Sequence, residues 1–170
     1  MAVLPILVAP HPVLKQKAKP VAVVDARIAK LMDDMVETMY AAKGIGLAAP
    51  QIGRSERVIV VDVHEKGETP NPIRLANPEI VWSSEEKGIC EEGCLSVPEQ
   101  YAEVTRPLAV RVRYLDEKNE PREIEADGML ATCLQHEIDH LNGVLFVDYL
   151  SLLKRNMILR KVQKQQKASA

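Results

Sequence analysis

The sequence predicts an α+β fold: mainly antiparallel sheets packed around a central helix that bears an HExxH pattern, with a further helix at the C-terminus. Three observations carry this reading. An amphipathic stripe near the N-terminus has helical spacing, short β-branched or alternating runs cluster ahead of two closing helices, and the regular strand–helix alternation of a parallel sheet is missing.

The first helix spans Asp25 to Lys43, where Ile28, Leu31, Met32, Met35, Val36, Met39 and Tyr40 recur at steps of three and four. Asp25 is placed to cap its start and Gly44 its end. After a glycine-bearing loop, Arg57 to Val63 is short and β-branched, which predicts a buried strand. Ile73 to Leu75 and Ile80 to Trp82 are expected as two further strands. Leu108 to Leu115 alternates Val110, Val112 and Tyr114 with Arg111 and Arg113, the pattern of a sheet with one wet face. A turn at Asp116 to Asn119 leads to a returning strand at Arg122 to Ile124. Two helices follow, one from Asp127 or Gly128 to about Asn142, stopped by Gly143, and one from Ser151 onward.

The chain of 170 residues is 46% apolar and 27% charged, enough to bury a core, and residues 1–170 are expected as a single catalytic domain whose segment 151–170 is a basic helix and tail. A formal charge of −2 argues against wrapping nucleic acid, so no specific DNA partner is expected. Pro5, Pro10 and Pro12 interrupt an apolar opening that has no cationic residue ahead of it, which speaks against a signal peptide. No apolar run approaches the ~20 residues of a membrane span. Three cysteines, an odd number, suit a reducing compartment, and the cytoplasm is the expectation.

The strongest chemical signal is His136-Glu137-Ile138-Asp139-His140. On a helix the two histidines stand one turn and ~40° apart, so both rings reach one metal ion, while Glu137 is ~100° round and placed to reach its water for proton transfer. Downstream there is no further histidine, cysteine or glutamate. The extended peptidase pattern is met at Gly143 and fails at Phe146, and Asp148 stands at no known ligand spacing. The third ligand must lie upstream. His11 and His64 read as solvated side chains, and Cys133, a turn below His136, points toward the helix start and reads as a pocket or core residue. Cys90 and Cys94 remain. If both bind, the site is a closed four-ligand staple; if one binds, a position is left open for chemistry. The open site is favoured, since a staple has no use for Glu137 between its histidines.

Gly44 to Ala49 contains G-x-G-x-x-A, a weak dinucleotide fingerprint, but here a helix precedes and a strand follows, with Pro50 in between. A helix cap explains Gly44 and leaves Gly46 and Gln51 without a task. A glycine that admits close backbone approach, followed by a side-chain amide, suits the wall of a carbonyl-processing site.

Together GIGLAAPQ at 44–51, EGCLSVP at 92–98 and QHEIDH at 135–140 resemble the three signature motifs of the bacterial peptide deformylases, and the similarity runs over essentially the whole chain. The resemblance implies a hydrolase that removes the N-formyl group from formyl-methionine on newly made polypeptides and releases formate. It assigns Cys94, His136 and His140 to the metal, with Fe2+ physiological and Zn2+, Ni2+ or Co2+ able to replace it. Glu137 is then the proton carrier, the Gln51 amide and the Leu95 backbone N–H meet the oxyanion, and Gly46 contacts the peptide. Ile45, Met129 and Cys133 fall where the family builds its pocket walls. Tyr101 stands where many relatives carry arginine and Thr132 where they often carry an apolar residue, departures that bear on pocket shape and side-chain preference.

Lys154 to Ala170 holds six basic residues and no acidic one. From the lack of a long apolar run, no membrane partner is expected. Relatives use a similar helix to dock on the ribosome, so the resemblance implies ribosome contact here. On that reading, deletion of residues 158–170 weakens ribosome binding and leaves turnover nearly intact.

Overall fold

The computed structural model describes residues 2–169. Its elements in chain order are α1 (Ala26–Ala41), β1 (Gly46–Ala48), β2 (Val58–Val61), β3 (Ile73–Ser83), β4 (Lys87–Cys94), β5 (Val97–Pro107), β6 (Ala109–Leu115), β7 (Pro121–Asp127), α2 (Gly128–Leu141) and α3 (Leu152–Ser169). A five-stranded antiparallel sheet runs in the order β1-β2-β3-β6-β7, and β4 and β5 form a separate hairpin.

Side-chain direction explains how the sheet is covered. In β2, Ile59 and Val61 enter the apolar cluster beneath α2, and Val58 and Val60 enter the one beneath α1. This strand is buried on both faces, so its sequence is continuously apolar. In β6 only Val110 and Val112 are fully buried, under α2, and the intervening arginines face outward, as the alternation predicts. A third cluster joins Val97 and Val104 of the hairpin to Phe146, Val147 and Val162.

The helix ends have local causes. The Asp25 carboxylate accepts from the Ile28 N–H at 3.0 Å and caps α1 as expected. At its other end Lys43, with φ 59°, takes the left-handed position in place of Gly44, and the Lys43 and Gly44 N–H groups close on the Tyr40 and Met39 carbonyls. Gly143 plays the same part after α2 at φ 75°, and a Cβ there would collide with the backbone of Lys15.

Three strand expectations are corrected. Ile73–Leu75 and Ile80–Trp82 are one strand, β3, with an irregularity where Asn77 adopts φ 49° and Pro78 has no N–H to donate. The glycine-bearing loop contains β1, an edge strand. The β4–β5 hairpin was not expected, because Gly88, Gly93 and Pro98 mask its alternation. The C-terminal expectation also changes. Val162 is fully buried and Ile158 and Leu159 pack beside it, so cutting at residue 158 would open the third core cluster.

The β6–β7 turn is held by Asp116, whose carboxylate accepts from the Lys118 and Glu120 N–H groups and from Arg122 Nε at 2.8–3.0 Å. Burial pushes this carboxyl up, but Arg122 and the two N–H groups outweigh it and hold it below its usual value of 3.8. Asp116→Ala should cost about 2 kcal/mol at pH 7 in urea unfolding. A depressed folded pKa means stabilisation that is complete above the unfolded value and lost below it. The gap between wild type and variant should therefore begin to close as pH falls below about 4, and a gap that does not narrow at all between pH 7 and acid pH would exclude this ionised carboxylate as its source.

Candidate metal centre

The HExxH pattern lies within α2, and its spacing does what a helix requires: His136 Nε2 and His140 Nε2 stand 3.2 Å apart, both rings buried. The hairpin supplies the third donor. Cys94 ends β4, and its Sγ lies 3.3 Å from His140 Nε2. Of the described residues, Cys94, His136 and His140 form the one group of three or more His, Cys, Asp or Glu donors that could hold a metal ion, with ligand atoms all within 4.8 Å of one another.

Cys90 is elsewhere, its sulfur 3.6 Å from the Glu91 carbonyl. The closed four-ligand alternative is thereby overturned, for a simple reason. A separation of four residues brings side chains together on a helix, but on a strand it spreads them by roughly 13 Å. Cys133 is likewise outside the group, buried with its thiol toward the Ile45 carbonyl at 3.4 Å. His11 is exposed and caps a short 3-10 turn, and His64 is exposed beside Asp62. Asp148 pairs with Lys15 and Arg155.

The donors are oriented by buried neighbours. Glu92, two residues before Cys94 and on the same face of β4, meets His136 Nδ1 at 2.9 Å, which turns the Nε2 lone pair toward His140. Arg106 of β5 holds both oxygens of Glu92 at 2.5 and 2.8 Å and reaches Asp139 Oδ2 at 2.8 Å, where the Tyr149 hydroxyl also donates. Burial pushes the Glu92 carboxyl up, and Arg106 and His136 together overcome it and hold it low. Burial and the neighbouring His136 keep His140 well below its usual pKa, so its ring stays neutral and able to ligate. Gln51, buried behind the cysteine, donates to Ser96 Oγ at 3.1 Å and lies 3.5 Å from Cys94 Sγ, while its Oε1 accepts from the Ala48 N–H.

Glu137 faces a cleft of about 370 Å³ together with His136 and Cys94. Burial pushes its carboxyl up to about 7, and its Oε1 has no hydrogen-bond partner. Gly46 accommodates it: a Cβ at this position would lie 2.5 Å from Glu137 Oε2 and 2.8 Å from Cys133 Sγ. The cleft is also lined by Ile45, Leu95 and Tyr101, whose ring covers Gly93. Gln51, Cys133 and Met129 do not line it; Met129 is exposed at the start of α2, two turns before Glu137 on the same side.

Sequence reasoning missed Glu92, Arg106, Tyr149 and Ser96. The signal for Glu92 was its step of two from Cys94, meaningful once the segment is read as a strand.

The residues fit a metal: two imidazoles and one sulfur converge with no fourth protein donor among the described residues, the set of a hydrolytic site with an open position. This is the architecture of a metal-dependent hydrolase. Residues 3–156 match the polypeptide deformylase family, and the chain belongs to that family, whose members remove the N-formyl group from newly made polypeptides. It is 54% identical over 167 residues to the peptide deformylase of Rhizobium meliloti (strain 1021), covering 98% of this chain and 96% of that one. It is 58% identical to that of Methylocella silvestris, covering 100% and 88%. The crystal structure of the Ehrlichia chaffeensis peptide deformylase superposes with a TM-score of 0.95 at 43% identity over 99% of both chains, and that of its complex with actinonin with 0.93 at 46% identity over 97% and 98%.

Removing Glu92 strips His136 of its orienting partner and leaves Arg106 buried without its main counter-charge. Glu92→Ala should lower metal affinity roughly 10–100-fold, read by competition with a chromophoric chelator. Unchanged affinity would mean that the carboxylate does not orient the ligand.

Proposed function

We propose that this chain hydrolyses the formyl group of formyl-methionine at the N-terminus of nascent polypeptides in the cytoplasm. The observation that carries this reading is Glu137: a buried carboxylate with an unpartnered oxygen, beside three converging donors at the wall of an open cleft. Cys94, His136 and His140 would hold one divalent ion, Fe2+ physiologically, with Zn2+, Ni2+ or Co2+ as substitutes, and the ion supplies Lewis-acid polarisation when bound.

The protein's own groups do the rest. Glu137 Oε1 takes a proton from the attacking water and returns it to the amine nitrogen as the C–N bond breaks, giving formate and a free N-terminus. A carboxyl near pKa 7 suits both halves of that transfer. The Gln51 amide and the Leu95 N–H stabilise the oxyanion, with Ser96 holding Gln51 in place.

Strand polarity supports a path for the peptide. Ile45 C=O accepts from Asp62 N–H at 2.8 Å, so the next residue, Gly46, turns its own N–H and C=O to the unpaired edge of β1. The substrate backbone pairs there as an added strand. Ile45 then forms the cleft's apolar wall for the methionine side chain, with Cys133 behind Gly46 and Met129 further up α2 assigned to the same pocket, and Tyr101 borders the residues beyond it.

Glu137→Ala should retain metal while formate release from formyl-Met-Ala-Ser falls by roughly 10²–10⁴-fold, and Cys90→Ser should change neither. Metal loss in Cys90→Ser, or turnover surviving in Glu137→Ala, would overturn these assignments.

No helix among the described residues is long and apolar enough to cross a membrane. Lys161, Lys164 and Lys167 are exposed on α3, opposite buried Val162, which supports ribosome contact through this face. Lys161→Glu with Lys164→Glu should weaken co-sedimentation with ribosomes and flatten its salt dependence while short-peptide turnover persists. Undiminished co-sedimentation would exclude this face.

A further inference from the structure

A second polar cluster lies away from the metal donors, at the end of β2. The Asp62 carboxylate is buried and gathers three segments: the Tyr40 hydroxyl from the last turn of α1 donates to Oδ2, the Asn71 N–H donates to the same oxygen at 3.1 Å, and the His64 ring bonds Oδ1 at 2.9 Å. The backbone N–H of Asp62 donates to Ile45 O, the residue before β1. On the other side, Lys43 N–H bonds Tyr40 O at 3.0 Å and Gly44 N–H bonds Met39 O at 2.9 Å.

Residues 43–46 line the cleft and are therefore suspended between Tyr40 and Asp62, and the side-chain bond between those two residues closes the ring. Among the described residues nothing in the sheet braces this segment from its other side, because β1 pairs there only with β2. A two-sided anchor of this kind fixes the height of an edge strand against the opposite wall, here Leu95 to Tyr101.

We propose that Tyr40 and Asp62, supported by His64 and Asn71, are positioning residues that hold the open edge of β1 at the spacing a peptide needs, and so set affinity for the residues that follow formyl-methionine. This rests on the reading that the substrate pairs with β1. Tyr40 and Asp62 touch neither the donors nor Glu137, so the chemical step is not theirs.

The test compares kcat and KM for formyl-Met-Ala-Ser and for formyl-methionine alone, with metal-loaded full-length protein. Tyr40→Phe and Asp62→Ala should each raise KM for the tripeptide roughly fivefold, leave its kcat within about twofold, and raise KM for formyl-methionine, which meets the segment only at Ile45 and Gly46, by less than about twofold. Asp62→Asn, which still accepts from Tyr40 and Asn71, should recover most of the tripeptide KM. Asp116→Ala, at the opposite edge of the sheet, controls for general destabilisation and should shift neither substrate.

Equal effects on both substrates, a loss confined to kcat, or an unchanged KM in Tyr40→Phe would overturn the proposal. Should Asp62→Ala fail to fold, Tyr40→Phe, which loses only a hydroxyl, decides it. A wild-type enzyme with no preference for the tripeptide would instead overturn the strand-pairing reading on which the proposal rests.

Discussion

The contact between Glu92 and Arg106 is the constraint on which the site depends. The β4–β5 hairpin stands apart from the five-stranded sheet, and a two-stranded hairpin is marginal alone. Glu92 ties it to α2 through His136, and Arg106 ties it there again through Asp139. Both charges are buried, so losing either partner would leave the other uncompensated, a penalty of about 3–5 kcal/mol. The ion pair lies within the hairpin, and its two outward contacts, Glu92 to His136 and Arg106 to Asp139, join the element that carries Cys94 to the helix that carries both histidines.

Around this junction, small side chains set large consequences. Gly46 has no Cβ, and the room it leaves is filled by the carboxylate of Glu137. The same residue lies at the edge of the sheet, where its backbone polar groups face the cleft. The Glu137 carboxylate and the open edge of β1 are brought within contact of each other by one glycine. Leu95, packed across Gly44, closes the opposite side of the cleft in the same way.

The C-terminal helix has two faces with different tasks. Val162 completes the apolar cluster that includes Val97, next to the cysteine turn, while lysines occupy the solvent side. Gln165 also donates to Glu99, a cleft-lining residue held at φ 63°. The helix is part of the support of the cleft wall, and its basic face is carried by that packing.

Local periodicity determined a great deal. The stripe in α1, the alternation in β6, the Asp116 turn and the His136–His140 pair follow from interactions within a few residues, so they were legible in the sequence; the resemblance of three motifs supplied the family. The resemblance also chose Cys94 over Cys90, which spacing alone left open; what lay beyond was the recruitment of Glu92 and Arg106 and the role of residues 44–46 as an edge strand. These depend on the register of a hairpin masked by glycine and proline, and on which face of it docks against α2. Side-chain spacing along a chain is a short-range property; bringing together donors 42 and 46 residues apart (Cys94 with His136 and His140) is decided only when long-range burial fixes one sheet against one helix.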